Sequence, residues 1–178
     1  MKQITTMIVI FCWSIYQHAN AQDSNVELGR VNIELYGNVT TVTCGVLSSE
    51  QDKYIRLGTI ATKDLPSVGS QSKATPIPFE MSNCPANGTV TITFEGVRDS
   101  DNAELLAIDD LVNKAENIAI EIRDQDKKRL ALGKKSEDFV VDSNGRVSAL
   151  FYANYIVTKA QAKAGLANAN AQFSIEYQ

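Results

Sequence analysis

Two cysteines are the most informative of the residues that could carry chemistry. Cys44 and Cys84 remain once the apolar amino-terminal run, which contains Cys12, is set aside. A single pair of cysteines in an exported chain predicts a disulfide. Closing a loop of about 40 residues would stabilise the folded state by roughly 4 kcal/mol, because the cross-link lowers the chain entropy of the unfolded state. The alternative, a metal site built on two thiolates, lacks its other ligands. We therefore expect a disulfide between Cys44 and Cys84.

Residue types that support catalysis are scarce. The one histidine, His18, lies in the same amino-terminal run, so the rest of the chain lacks the usual general base and the commonest metal ligand. The stretch 99–102 begins like a calcium loop but has neither the central glycine nor the final glutamate, and a solvated turn is the better interpretation. We expect no enzyme, no metal and no cofactor. The net charge of −4 also argues against nucleic acid as a partner.

The amino terminus has the features of an export signal. Lys2 is followed by an apolar run at 7–13 and by the small-residue cleavage site Ala19-Asn20-Ala21. The run is too short to span a membrane. We expect residues 1–21 to be a cleaved signal peptide, residues 22–40 an amino-terminal extension, and residues 41–178 a single domain.

Alternation of apolar and polar residues, rather than helical periodicity, dominates that domain. Strands are predicted at 76–84, 90–94 and 118–122, and a hairpin is predicted around Asp142-Ser-Asn-Gly145, between 139–141 and 147–157. The stretch 101–107 is the one candidate for a helical turn, with Leu105 and Leu106 facing the core. Many short strands between Gly, Asn and Asp turns indicate an all-β sandwich.

Two further strands lie near the ends of the chain. The last residues alternate, with Phe173, Ile175 and Tyr177 on one face, and nothing follows to cover the edge of such a strand. Near the other end, one face is formed by Val31, Ile33, Leu35, Gly37 and Val39. This segment could be an ordinary first strand. The alternation that continues on a shifted face after Gly37 favours a strand donated to another chain.

Several motifs together resemble subunits of the chaperone–usher, type 1 fimbrial (pilin) family over nearly all of the chain after residue 21. Each motif is weak alone, but their order and spacing are specific. They are Leu35-Tyr-Gly37-Asn-Val39 with Cys44 following, Pro78-Phe79 with Met81-Ser-Asn83-Cys84, Phe94-Glu-Gly96-Val97 with Asp99, Asn102 and Leu105-Leu106-Ala107, and the alternating terminus from Gly165 to Tyr177.

The resemblance implies an incomplete immunoglobulin-like β-sandwich that lacks its final strand. A donor strand from another subunit would complete it, after a periplasmic chaperone and an outer-membrane usher have acted. Val31, Ile33, Leu35, Gly37 and Val39 would be the donor positions. The residues that border the acceptor groove or face the chaperone would be Gly165, Phe173, Ile175, Tyr177 and Gln178.

The predicted function is accordingly that of a structural subunit of a cell-surface fimbria, contributing to cell adhesion and polymerising with neighbouring pilins by donor-strand exchange. The alternative is a secreted adhesin or lectin-like binding module. The adhesins of this family carry a separate receptor-binding domain, for which this chain has no room, and the tryptophan that often supports carbohydrate binding occurs only at Trp13.

Overall fold

The computed structural model describes residues 44–46 and 52–178, all of which belong to the unit Thr40–Gln178. These residues form β-strands and one short 3-10 helix, Thr62–Asp64, with no α-helix among them. No helix in this part of the chain could cross a membrane. The strands are β1 (Gly45–Val46), β2 (Thr75–Ser82), β3 (Thr89–Gly96), β4 (Leu106–Ala107), β5 (Ile118–Arg123), β6 (Phe139–Val140), β7 (Val147–Val157) and β8 (Ala171–Tyr177).

The strands form two antiparallel sheets. The larger sheet has the order β1-β2-β7-β5-β4, and the smaller sheet has the order β6-β3-β8. The inner faces are apolar, as in β2, where Ile77, Phe79 and Met81 are buried and the residues between them are exposed. The all-β prediction is confirmed, and the predicted spans of β2, β3 and β5 match to within a few residues.

Aromatic rings from both sheets meet in the core. Phe79 and Phe151 come from the larger sheet, while Phe94, Phe139 and Phe173 come from the smaller one. Ring centroids lie 5.0 Å apart for Phe94 and Phe151 and 4.8 Å apart for Phe79 and Phe173, in edge-to-face arrangements. Each buried phenylalanine contributes about 1.5–3 kcal/mol, so this cluster holds the two sheets together.

Two local predictions are corrected. The turn Asp142–Gly145 forms, with the Gly145 N–H donating to the Asp142 carbonyl at 3.0 Å, but it does not close a hairpin. Instead β6 pairs with β3 and β7 pairs with β2 and β5, so the turn carries the chain from one sheet to the other. The stretch 101–107 is not helical; it is a turn that leads into β4, although Leu105 and Leu106 are buried as expected.

A carboxylate is buried on the outer face of the larger sheet. Glu121 of β5 is 2% exposed and accepts hydrogen bonds from Arg123 Nε at 2.7 Å, Arg129 Nε at 2.8 Å and Asn154 Nδ2 at 3.2 Å. Burial, the largest single influence, raises the pKa of Glu121, but the hydrogen bonds led by Arg129 outweigh it and hold the pKa below its usual range. The cluster fixes the segment after β5 to the sheet.

Candidate strand-acceptor groove

Strand β8 lies at the edge of the smaller sheet. It pairs with β3 over its whole length, with Phe173 opposite Phe94, Ile175 opposite Ile92 and Tyr177 opposite Val90. Within residues 44–46 and 52–178, no strand pairs with its other side. Phe173, Ile175 and Tyr177 face inward, pack on the core and are only half-buried. The edge is therefore open, and its inner face is apolar.

The backbone groups that face this open side can be identified from one pair. Thr89 and Gln178 exchange both backbone hydrogen bonds, at 3.0 and 2.9 Å. Hydrogen-bonded and non-hydrogen-bonded pairs alternate along an antiparallel ladder. It follows that the N–H and C=O groups of Phe173, Ile175 and Tyr177 point away from β3. The residues whose side chains face the core thus also offer their main-chain groups to the open edge.

Beside this edge lies a cleft of about 310 Å³ that opens onto the core. One wall is the stretch from Ala169 to Phe173, at the start of β8, and the other is the irregular segment 52–57. The floor is apolar and is contributed by both sheets: Ile77, Phe79, Phe94, Leu106, Ile120, Ile122 and Ala153. The described part of the sandwich therefore has a gap next to the edge of β8 that no described strand covers.

The segment 52–57 alternates although it forms no strand. Lys53, Ile55 and Leu57 are half-buried, while Asp52, Tyr54 and Arg56 are exposed. The sequence analysis assigned no role to this stretch and missed its place in the cleft. The alternation of Ile55 and Leu57 was the available signal. One side of the segment faces inward, and it pairs with no strand among residues 44–46 and 52–178, which fits a position where a strand can be added.

Of the predicted acceptor residues, only Phe173 lines the cleft; Ile175 and Tyr177 lie farther along β8, and Gln178 follows it. Gly165 does not line the cleft: its α-carbon lies against Lys114 and Ala115, where a Cβ would overlap their backbone atoms. Leu166 N–H donates to the Asn113 carbonyl at 2.8 Å beside it. Glycine at 165 thus allows the chain to lie close to the 113–115 segment before β8 begins.

The carboxyl-terminal end of β8 is fixed by several contacts. Tyr177 Oη donates to the Pro85 carbonyl at 3.4 Å, and its ring occupies the space that a Cβ of Gly88 would need. Glu176, on the outer face, forms an ion pair with Lys135 at 2.5 Å. Gln178 is exposed beyond its two bonds to Thr89. This end of the strand therefore has a defined position.

Cys44 and Cys84 form the predicted disulfide. It joins the residue before β1 to the residue two positions after β2, and the Cys84 N–H donates to the Gly145 carbonyl at 3.0 Å. The predicted donor residues Val31, Ile33, Leu35, Gly37 and Val39 lie outside the described residues. No group of three or more His, Cys, Asp or Glu residues that could hold a metal occurs in the ranges the structure describes.

Comparison with known proteins identifies the family. The fimbrial protein family model matches residues 33–178. The fimbrial-like protein FimF of Salmonella typhimurium is 42% identical over 154 residues, which cover 86% of this chain and 88% of the relative. A type-1 fimbrial protein subunit of Serratia marcescens is 29% identical over 167 residues, covering 89% and 92%.

Solved structures give the same fold. A Burkholderia pseudomallei antigen and type I fimbria protein superposes with a TM-score of 0.60 at 26% identity, covering 78% of this chain and 91% of that protein. The P pilus rod subunit PapA gives a TM-score of 0.63 at 19% identity, covering 76% and 99%. The predicted immunoglobulin-like sandwich is confirmed. The chain belongs to the fimbrial protein family, as a structural pilus subunit that is exported to the cell surface and polymerises with neighbouring pilins.

Proposed function

We infer that a strand from a neighbouring subunit fills the cleft between β8 and segment 52–57. Residues 22–40 of this chain would fill the same cleft of another subunit, so that the fimbria grows by donor-strand exchange. The observation that carries this proposal is the open edge of β8. There Phe173, Ile175 and Tyr177 combine half-buried apolar side chains with main-chain groups that point toward the missing neighbour.

The extension has the pattern that such an edge requires. In an extended segment, Val31, Ile33, Leu35 and Val39 would share one face, with Gly37 between the last two. Burial of four such side chains stabilises the joint by about 6–12 kcal/mol as an upper estimate. Each main-chain bond to β8 adds roughly 0.5–1.5 kcal/mol. Ordering the extension offsets part of this gain, and the remainder makes dissociation slow.

Before assembly the same edge has to be covered. A periplasmic chaperone would cover it by lending a strand, and an outer-membrane usher would then exchange that strand for the donor strand. This route requires export, which fits a signal peptide at 1–21. A solved subunit of a chaperone–usher pilus covers 84% of this chain with a TM-score of 0.64 and supports the comparison of fold. The terminal carboxylate of Gln178, at the exposed end of β8, is the group we assign to basic chaperone residues.

The test compares two exported versions of the chain by gel filtration and by unfolding in urea. The first is the natural chain. The second lacks Gln22 to Thr40 and carries Arg30 to Thr41 after Gln178 through a short flexible linker. We expect the first to be polymeric, aggregated or degraded, and the second to be a monomer that unfolds cooperatively.

A matched control keeps the graft but changes Ile33 and Leu35 to asparagine. This version retains the length and the main-chain groups of the added strand and loses most of its apolar face, so it should not restore cooperative unfolding. If the natural chain is a stable monomer without a chaperone, or if the control is as stable as the graft, strand donation to this cleft is refuted.

A further inference from the structure

The two ends of the β3–β8 ladder have different surroundings. At one end, Tyr177 Oη donates to the Pro85 carbonyl, next to the disulfide-bonded Cys84, and we call this the disulfide end. At the other end, Gly96 lies opposite Ala171, the first residue of β8. The cleft is lined by residues 169–171 and therefore opens at this second end, which we call the β8-start end.

Four large apolar side chains are exposed at the β8-start end. They are Val97, Leu111, Val112 and Leu166, which we call the end patch. The most exposed of them is Val112, at 85%, in the turn 111–114. The Leu166 N–H donates to the Asn113 carbonyl at 2.8 Å, which holds the two segments side by side. Exposed apolar residues that are grouped in this way mark sites of contact with other molecules.

The end patch is continuous with the cleft. Asn170 lines the cleft, and its Nδ2 donates to Asp109 Oδ2 at 3.0 Å. The Asp109 N–H donates to the Asn168 carbonyl at 2.7 Å, and the Leu111 N–H donates to the Asp109 carbonyl at 2.9 Å. The segment that carries Leu111 and Val112 is therefore bound to the stretch that leads into β8. A partner at this mouth of the cleft lies beside the end patch.

The position of the proposed donor segment brings a folded domain close to the cleft. The segment ends at Thr40, and Cys44 already belongs to the disulfide end of the donor's own domain. Four residues span at most about 14 Å, so that domain must lie against one end of the acceptor. At the acceptor's disulfide end, Val140 is the one exposed large apolar residue within 44–46 and 52–178. The β8-start end has the end patch and offers the larger apolar surface.

We propose that the end patch is the docking surface for the folded domain of a second copy of this chain, the copy whose extension fills the cleft. This inference rests on the proposed function. It adds a second contact to the joint, between domains, which is stabilised by the apolar area that it removes from water. The contact joins the disulfide end of one copy to the β8-start end of the next. Such a contact between unlike ends repeats from subunit to subunit, as a polymer requires.

The test uses a complex of two chains, each starting after residue 21. The acceptor carries Ile33→Asn and Leu35→Asn, so that its own extension cannot be donated. The donor keeps its natural extension and carries residues 30–41 after Gln178 through a short flexible linker, so that its own cleft is filled. The acceptor is refolded either with the donor or with a synthetic peptide of residues 30–41. The two complexes contain the same inserted strand, and only the first has a domain attached to it.

The first measurement is hydroxyl-radical labelling, read by mass spectrometry with an isotope-labelled acceptor. Labelling of the end patch should be at least about twofold lower with the donor than with the peptide, because labelling follows the side-chain area that water reaches and a docked domain removes it. The matched control is Val140 of the acceptor, which is also exposed but lies at the disulfide end. Its labelling should be the same in both complexes.

The second measurement is the dissociation rate, followed by anisotropy of fluorescent donor or peptide after unlabelled peptide is added. Val112→Ser together with Leu166→Ser in the acceptor should release the donor about 3- to 30-fold faster, because apolar contacts are lost. Release of the peptide should not change. The same two substitutions in the donor should have no effect, since its end patch lies at the free end of the complex. Val140→Ser in the acceptor should also have none.

The outcomes separate the two proposals. Docking at the end patch is refuted, and strand insertion stands, if labelling of the patch is equal in the two complexes or if the acceptor variant releases the donor at the natural rate. The same conclusion follows if the peptide binds and the donor does not, or if Val140 of the acceptor is protected instead. If neither the peptide nor the donor binds, the proposed function falls and the docking surface falls with it.

Discussion

Proline substitutions at Ala171 and Gln172 test the direction of the β8 backbone groups. The alternation set by the Thr89–Gln178 pair places the Gln172 N–H in the ladder to Glu95 and the Ala171 N–H on the open edge. Proline removes the N–H at either position. The two variants therefore separate the hydrogen bonds that β8 makes inside the subunit from those that it offers to an inserted strand.

The expected effects differ in kind. Gln172→Pro loses one hydrogen bond of the β3–β8 ladder, worth about 0.5–1.5 kcal/mol, and its ring strains the contact with β3. The free energy of unfolding should therefore fall by about 1–2 kcal/mol. Ala171→Pro stands at the first residue of the strand, where proline is tolerated, and leaves the ladder intact. An inserted strand loses one bond to it, so a peptide of residues 30–41 should dissociate roughly 2- to 10-fold faster.

Two assays on the peptide-filled subunit should rank the variants in opposite order. The Glu95 amide donates to the carbonyl of residue 172 in the same hydrogen-bonded pair; its hydrogen exchange should accelerate in Gln172→Pro, because the proline ring strains that pair, and stay unchanged in Ala171→Pro. Peptide dissociation should accelerate more in Ala171→Pro. The same ranking in both assays would show that the assignment of open-edge groups along β8 is incorrect.

Three further predictions concern features that stabilise the sandwich, each measured by urea unfolding of the peptide-filled subunit. Gly88→Ala should cost about 1–3 kcal/mol, because its Cβ overlaps the Tyr177 ring, and adding Tyr177→Leu should recover most of the loss; no recovery would contradict the steric cause. Cys84→Ser should cost about 4 kcal/mol, and reducing the natural protein should reproduce that loss. Glu121→Gln should cost about 3 kcal/mol near neutral pH, since two guanidinium groups lose their buried carboxylate. The pKa of Glu121 is lowered in the folded state, so its contribution to stability is complete above the usual carboxylate range and is lost as the pH falls through the folded pKa. The Glu121→Gln variant should not show this loss of stability in acid. Glu104→Gln, whose carboxylate is half-exposed, is the control and should change stability by less than about 1 kcal/mol.

The sequence was sufficient for the longer strands and their inner faces, although not for β4. Alternation with period two identifies Ile77, Phe79 and Met81 in β2 and Phe173, Ile175 and Tyr177 in β8, because one face of each strand must be apolar to pack on the opposite sheet. The disulfide followed from an even cysteine count in an exported chain. These inferences depend on local patterns, which a single sequence contains.

The pairing of strands was harder to predict because it depends on distant segments. The turn 142–145 has the residues of a hairpin, but β6 pairs with a strand of the smaller sheet and β7 with strands of the larger one. No local sequence pattern indicates this difference. Segment 52–57 was overlooked for a related reason. Its alternation is short and includes Lys53 on the inner face, where a sequence pattern predicts an apolar residue.

The exposure of β8 is explained by one missing neighbour. Across the β3–β8 ladder, Val90 and Ile92 are fully buried and Phe94 is 5% exposed, whereas their partners on β8 are only half-buried. The partners are of similar apolar character and face the same core. What differs is that β3 has neighbours on both sides, β8 on one and β6 with the segment 133–136 on the other, while β8 has one only on the β3 side among the described residues. A strand added at this edge would give Phe173, Ile175 and Tyr177 the burial that β3 already has. Under the proposed strand donation, the surface that would destabilise the separate subunit is the same surface that would stabilise the polymer.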